Sequence, residues 1–136
     1  MATKKPRNVR NNNPLNIRAT GTKWNGAVGD DGEFVKFESP EMGFRAAFKT
    51  LMTYRNKHGL TTVEGIINRW APVEDDNHTE NYIDFVHSRL GTSRAWFFDD
   101  EIPLEKYPHL ILAMADFEGA KGAFNLTQVQ RGIALA

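Results

Sequence analysis

The spacing of hydrophobic residues predicts a short β element followed by five helices. Between residues 15 and 38 short apolar stretches alternate with glycines, and residues 33–37 alternate polar and apolar side chains with a period of two, which favours a β-hairpin or meander. Farther along, apolar residues recur at three- and four-residue spacing, which predicts helices. The predicted helix boundaries are Ser39-Pro40 to Gly59, Thr61 to Pro72, Thr79 to Gly91, Leu104 to Phe117 and Thr127 to Ile133.

The start of the chain lacks this periodicity. Residues 1–10 are therefore predicted to be a flexible basic arm, and residues 11–14, Asn-Asn-Asn-Pro, have the composition of a turn. Thr61 and Glu64 form a capping-box pattern for the second helix. A loop containing Trp96, Phe97 and Phe98 is predicted before the fourth helix. The resulting organisation is the arm plus one domain over residues 11–136, of the α+β class and mainly helical.

Composition narrows the function. The 136 residues suffice for one domain, and the absence of cysteine excludes disulfides, thiolate zinc sites and a cysteine nucleophile. The four histidines do not have the spacing of a helical metal motif. No metal or organic cofactor is expected. No apolar stretch has the length of a membrane span or the form of a signal-peptide core. We therefore expect no membrane span, and synthesis in a cytoplasm without a signal peptide.

The formal net charge of zero conceals an uneven distribution. Residues 1–18 carry five basic side chains and no acid, whereas residues 95–118 carry six acids against one lysine. A solvated tail and a solvated helix face are the ordinary interpretation. The basic segment could also contact nucleic acid, but no recognition helix or RNA-binding motif accompanies it, so nucleic acid is not the expected partner.

Glu118 is the leading candidate for catalysis. It continues the apolar stripe of the fourth predicted helix, four residues after Met114. A carboxyl in that position would be desolvated and its pKa raised, as a general acid requires at neutral pH. Gly119 would allow another segment or a ligand to approach closely. The alternative is a solvated acid at a helix end, or one paired with Arg45 or Arg55.

Two further groups could act with Glu118. Asp30, Asp31 and Glu33 lie in the predicted hairpin, and glycoside hydrolysis uses two carboxyls across a cleft. Their ordinary role would be turn formation. Trp24, Tyr54, Trp70 and Tyr82 could stack on sugar rings. Trp70 fits a core position better, whereas Trp24 stands among glycine and polar residues and is more open.

The segment Asn11-Asn12-Asn13-Pro14-Leu15-Asn16-Ile17-Arg18 resembles the start of a group of small phage and prophage virion-associated proteins. The resemblance covers residues 7–118. It departs from the group's pattern at Leu15, where the pattern has glycine, so a turn with positive φ is disfavoured there. Its other matching segments are Trp24-Asn25-Gly26, residues 34–46, Tyr54, residues 66–72 and residues 77–82.

The chain is also similar, more loosely, to lysozyme-like bacterial glucosaminidases over residues 13–18, 34–39 and 77–82. In those enzymes the catalytic glutamate ends a helix upstream of these segments. Here residues 113–119, Ala-Met-Ala-Asp-Phe-Glu-Gly, resemble that helix but lie downstream. We therefore predict a circularly permuted lysozyme-like domain, with the chain start close to the helix that ends in Glu118.

These resemblances imply a monomeric glycosidase that cleaves peptidoglycan glycan strands, as a muramidase, glucosaminidase or lytic transglycosylase. Glu118 would be the general acid. The second carboxyl would be Glu33, or else Asp31 or Asp30. Asn13, Asn16 and Tyr82 would hold the acid or the sugar amide, and Trp24 and Tyr54 would contact the sugar.

Two alternatives stay open. One is an inactive virion structural or peptidoglycan-binding protein, with other virion proteins as partners. The other is a phage or mobile-element protein acting on nucleic acid. The implied location is synthesis in the host cytoplasm, followed by action in the periplasm or cell wall or as a virion component.

Overall fold

A computed structural model describes residues 5–75, 77–93 and 100–136 of the chain. It is mainly helical, with one small antiparallel sheet, which confirms the predicted α+β class. The predicted loop with Trp96, Phe97 and Phe98 lies outside the described residues. The elements are α1 (Arg7–Arg10), β1 (Ala27–Asp30), β2 (Val35–Phe37), α2 (Pro40–His58), α3 (Val63–Trp70), α4 (Thr79–Leu90), α5 (Tyr107–Glu118) and α6 (Leu126–Ala134), with 3-10 turns at Val73–Asp75 and Leu104–Lys106.

Local capping chemistry explains the bounds of α2 and α3. The Ser39 hydroxyl accepts a hydrogen bond from the Met42 amide, and Gly59 ends α2 in the left-handed conformation at φ 65°. Both ends were predicted. The capping box at Thr61 is wrong by one residue: the Thr62 hydroxyl accepts from the Gly65 amide. The Thr61 carbonyl instead accepts from the amide of Ile102, which joins this turn to the segment before α5.

The later helices differ slightly from their predicted starts. Thr79 is the first residue of α4 rather than its cap, because its hydroxyl donates to the Ala71 carbonyl at the end of α3. The predicted fourth helix begins as the 3-10 turn Leu104–Lys106 and becomes α-helical at Tyr107. The last helix, α6, is one residue longer at each end, since Asn125 and Gln128 form a reciprocal capping box.

The main core surrounds α5 and includes a residue from the N-terminal turn. Leu110, Ile111 and Met114 of α5 are fully buried, and so is Leu15. The positive φ angles fall on Asn12 (50°) and Asn16 (54°), because asparagine tolerates the left-handed region better than leucine does. Leu15 therefore packs in the core, and the next residue, Asn16, adopts the left-handed conformation that the turn requires.

Of the predicted flexible arm over residues 1–10, residues 7–10 instead form the helix α1, and residues 1–4 lie outside the described residues. Asn8 is buried, and its side-chain amide donates to the carbonyl of Pro14 at 3.0 Å and that of Ala115 at 3.4 Å. It also lies directly against Gly119, where a β-carbon would collide with the Asn8 side-chain oxygen. Two contacts with the end of α5 fix α1 in place, and the predicted proximity of the chain start to that helix is confirmed.

Gly132 allows α6 to pack closely on α2. A β-carbon at Gly132 would lie 2.7 Å from the Glu41 carbonyl oxygen and 2.7 Å from Cβ of Phe44. We expect Gly132→Ala to lower the free energy of unfolding by about 1–3 kcal/mol through overpacking, although alanine is the better helix former. Urea denaturation would measure the loss. Thr127→Ala, exposed on the same helix, is the matched control, and equal stability of the two variants would contradict this interpretation of α2–α6 packing.

Candidate active site

Glu118, the last residue of α5, has its carboxyl group held by donors from two other parts of the chain. The Tyr82 hydroxyl of α4 donates to Glu118 Oε2 at 2.9 Å, and the Asn16 side-chain amide donates to Oε1 at 3.1 Å. Trp70, at the end of α3, lines the same small cavity as this carboxyl. Glu118 is therefore neither a solvated helix-end acid nor an ion-pair partner of Arg45 or Arg55.

Burial dominates the electrostatics of this carboxyl. Desolvation raises the pKa of Glu118 above its ordinary value, because removal from water disfavours the charged form. Hydrogen bonds from Tyr82 and Asn16, the nearby polar group of Trp70 and the charge of Arg18 offset part of that rise. Burial and the neighbouring Glu118 also raise the pKa of the Tyr82 phenol well above normal, so Tyr82 stays a hydrogen-bond donor.

Glu118 lines a cavity of about 100 Å³, and a larger cavity of about 490 Å³ adjoins it. Asn16, Arg18 and Trp70 line both cavities, so the two are neighbouring parts of one cleft. The cleft lies between the segment that precedes the sheet and the helices α2 and α3. Its large part extends to Trp24, Tyr54 and Arg69.

The aromatic residues take different roles. Trp24 and Tyr54 line the large cavity, and their contact with a sugar ring stays a prediction. Trp70, predicted as a core residue, is only half-buried and lines both cavities. The Tyr82 ring is buried and stacked on Phe117 with centroids 4.2 Å apart, so this residue holds the acid and presents no face to a ligand.

The two predicted asparagines also separate in role. Asn13 is fully buried, and its amide donates to the carbonyls of Ile17 and Val35 while its oxygen accepts from the Ile17 amide. The prediction that Asn13 binds substrate is wrong, since every polar atom of its side chain bonds to backbone inside the protein. Asn16 lines both cavities and bonds directly to Glu118.

The hairpin acids are engaged away from Glu118. Arg7 donates to both carboxylate oxygens of Asp31, at 2.8 and 2.9 Å, and to Glu33 at 2.7 Å. Arg18 also donates to Glu33, and Asp30 accepts from the Gly32 amide within its own turn. The Arg7 guanidinium holds the pKa of Asp31 well below its usual range. Asp31 and Glu33 thus connect the hairpin to α1 through Arg7. None of the three hairpin acids lines either cavity.

Asp75 is a cavity-lining acid that the sequence does not single out. Besides Glu118, it is the one carboxyl that lines the small cavity among the described residues. It ends the 3-10 turn Val73–Asp75, in a loop that reads only as polar, and Asn77 lines the same cavity. No periodic pattern in the sequence distinguishes Asp75. Only the folded structure shows that its carboxyl lies at the same cavity as that of Glu118.

In residues 5–75, 77–93 and 100–136 no group of three or more histidine, aspartate or glutamate side chains is arranged to hold a metal ion. Over the same ranges no helix combines the length and apolar character needed to cross a bilayer.

Tyr82→Phe should change the ionisation of Glu118 without changing the shape of the site. Removing the hydroxyl removes a hydrogen bond that favours the carboxylate, so the pKa of Glu118 should rise further. Carbon-13 NMR titration of the Glu118 carboxyl would measure the shift independently of any activity. Tyr107→Phe is the matched control, because the Tyr107 hydroxyl lies beside Arg55. An unchanged Glu118 titration in Tyr82→Phe would contradict the assigned contact.

Comparison with known proteins gives one informative result. No protein-family model matches the chain. Over 131 residues it is 41% identical to Protein P5 of Pseudoalteromonas phage PM2, an alignment that covers 93% of this chain and 79% of Protein P5. Identity at this level over nearly the whole chain establishes common descent with a bacteriophage protein.

Proposed function

The chain belongs to the family of Protein P5 of Pseudoalteromonas phage PM2, and from this premise we propose that it is a phage glycosidase that cleaves peptidoglycan, with Glu118 as general acid. The family supports the phage origin, whereas the activity rests on the site alone. The observation that carries it is the Glu118 carboxyl, which is desolvated, held by the hydrogen-bond donors Tyr82 and Asn16, and open to a cleft with aromatic walls.

Under this proposal Glu118 acts twice. A carboxyl whose pKa is raised keeps its proton near neutral pH and can transfer it to the glycosidic oxygen as the bond from that oxygen to the sugar carbon breaks. The carboxylate left behind then removes a proton from the attacking hydroxyl. If that hydroxyl belongs to water the product has a reducing end, and if it belongs to the muramic acid C6 the product is a 1,6-anhydro sugar.

Asp75 replaces the hairpin acids as the proposed second carboxyl. It shares the small cavity with Glu118, where a negative charge would stabilise the positive charge that develops on the sugar ring. Asp30, Asp31 and Glu33 are not suited to this role, because their carboxylates are committed to the hairpin turn or to Arg7 and Arg18.

The proposal includes a circularly permuted lysozyme-like arrangement. Its support is the contact between Asn8 and the end of α5, which brings the chain start to the residues around Glu118. In this arrangement the acid-bearing helix follows in sequence the segments that it precedes in the lysozyme-like enzymes, yet its end packs against the first helix.

The decisive test treats purified peptidoglycan sacculi with the wild-type protein and with Glu118→Gln, and identifies the released fragments by mass spectrometry. We expect soluble muropeptides from the wild type only. Reducing ends would indicate hydrolysis, and anhydro products would indicate transglycosylation. The control is Glu105→Gln, an exposed acid outside both cavities, which should release the same fragments as the wild type. Release by Glu118→Gln at the wild-type rate would overturn the assignment.

A second candidate is an inactive virion component that binds peptidoglycan. The phage relative and the commitment of the three hairpin acids to structural contacts favour it. It predicts co-sedimentation with sacculi and presence in purified particles, without any released fragment. The same samples therefore distinguish the two candidates.

The nucleic-acid alternative loses support. Arg7 and Arg18, two of the five basic residues near the chain start, are paired with Asp31 and Glu33. Their charges are therefore not presented together as a cationic surface.

A further inference from the structure

The large part of the cleft is basic. Arg18 and Arg69 both line it, and among the described residues no aspartate or glutamate does. The acids Glu118 and Asp75 line the small part instead. The cleft thus has an acidic end with Glu118 and Asp75, where the proposed chemistry takes place, and a basic end with Arg69 beside it, and Arg18 lines both.

Arg69 is oriented by the cleft wall. Its guanidinium carbon lies over the Tyr54 ring, 5.2 Å from the ring centre. Tyr54 is half-buried and packs edge-on against Trp70, with ring centres 6.2 Å apart. The charge of Arg69 is therefore placed over an aromatic wall, and a guanidinium in such a position retains donors for a planar anion.

Arg18 contributes a second guanidinium to the same end. It bonds to Glu33 through one nitrogen, at 3.1 Å, and its side chain is 58% exposed. Glu33 is shared with Arg7, and the two arginines and the two acids Asp31 and Glu33 balance in charge. Arg69 therefore supplies the excess positive charge of the cleft, with Arg18 as a further donor.

We propose that the large cavity is a subsite for a sugar that carries a carboxylate, which Arg69 and Arg18 bind while the aromatic wall contacts the ring. The inference rests on the proposed function, because it takes a peptidoglycan strand as the ligand. The large cavity has a volume of about 490 Å³, which lies within the range of small-molecule sites. Charge-assisted bonds from arginine to carboxylate supply the selectivity.

Peptidoglycan offers such a carboxylate from two sources. One is the lactyl group of a muramic acid residue from which the peptide has been removed. The other is the peptide stem itself. The chemistry at the arginines is the same for both, so three defined glycans are needed as probes: one without peptides, one with peptides, and a chitin oligosaccharide, which has neither carboxylate.

The test measures dissociation constants by calorimetry in the Glu118→Gln background, so that no probe is cleaved. Arg69→Met keeps the aliphatic stem and removes the charge. We expect it to weaken binding of a carboxylated glycan about tenfold more than binding of the chitin oligosaccharide. Arg131→Met, exposed on α6 outside the cleft, is the matched control and should bind all three probes as its parent does.

The outcomes separate the two proposals. Selective loss on the peptide-free glycan assigns the lactyl carboxylate, and selective loss on the peptide-bearing glycan assigns the stem. Equal weakening on all three probes, or none, overturns the carboxylate subsite even if wild-type protein releases fragments from sacculi. Conversely, selective loss with no fragment release from sacculi keeps the subsite and overturns the glycosidase.

Discussion

Replacing Glu118 with glutamine is expected to reduce glycan cleavage about 10²- to 10⁴-fold, the usual contribution of a general acid. Glutamine has the shape of glutamate but has no acidic proton to donate. The fold should tolerate it, because its amide oxygen can accept from Tyr82. The Asn16 side chain can rotate its oxygen, which lacks a hydrogen-bond partner among the described residues, towards the new amide nitrogen.

The same substitution should stabilise the protein at neutral pH. The pKa of Glu118 is raised in the folded state, so the folded protein binds this proton more tightly than the unfolded chain does. The resulting stability is complete below the ordinary glutamate pKa and is lost as pH rises through the raised pKa. Glutamine never ionises and avoids that loss.

Thermal unfolding of both proteins at about pH 4 and about pH 8 would measure this effect. Glu118→Gln should unfold at a higher temperature than wild type at the higher pH, and the difference should shrink at the lower pH. A lower midpoint for the variant at neutral pH would contradict the desolvated carboxyl described above.

Asn13→Ala should cause the largest loss of stability, about 2–4 kcal/mol. The fully buried side chain makes three hydrogen bonds to backbone, with distances of 2.9 to 3.0 Å. Alanine would leave the carbonyls of Ile17 and Val35 and the Ile17 amide without these partners. Chemical denaturation would give the change in unfolding free energy.

Asn68→Ala provides the matched control, because Asn68 is exposed and makes one bond, to the Glu64 carbonyl. It should change stability by about 0.5 kcal/mol or less. Asn13→Ala should also weaken the proposed activity, since its bonds fix the segment that carries Asn16 and Arg18. A variant as stable as Asn68→Ala would refute the bracing role of Asn13.

Local chemistry made much of the fold predictable. Ser39, Gly59 and Gly91 marked helix ends because capping and left-handed glycine depend on only a few neighbouring residues. Glu118 could be found for a similar reason: helical spacing from Met114 places it on the apolar face. The family resemblance also predicts that Tyr82 and Asn16 hold the acid.

The missed features depend on contacts across long stretches of chain. The bonds from Arg7 to Asp31 and Glu33 join residues 24 and 26 positions apart, and no periodic pattern reports such a pairing. From the sequence the hairpin acids are therefore expected to be free to act as a second carboxyl, whereas in the structure they are bonded to arginines or to their own turn. Asp75 and Trp70 line the cleft only because α3, its following turn and α5 converge, which a polar loop and an apolar helix face do not reveal.

The hydrogen bond between Asn16 and Glu118 spans 102 positions of the chain. Contacts of such sequence separation carry a high loop-closure cost and depend on the structure already formed around them. During synthesis, Asn16, Trp70 and Tyr82 leave the ribosome before Glu118 does. The acidic end of the cleft therefore cannot form before Glu118 has been made, and a chain that stops short of Glu118 lacks the group on which the proposed cleavage depends.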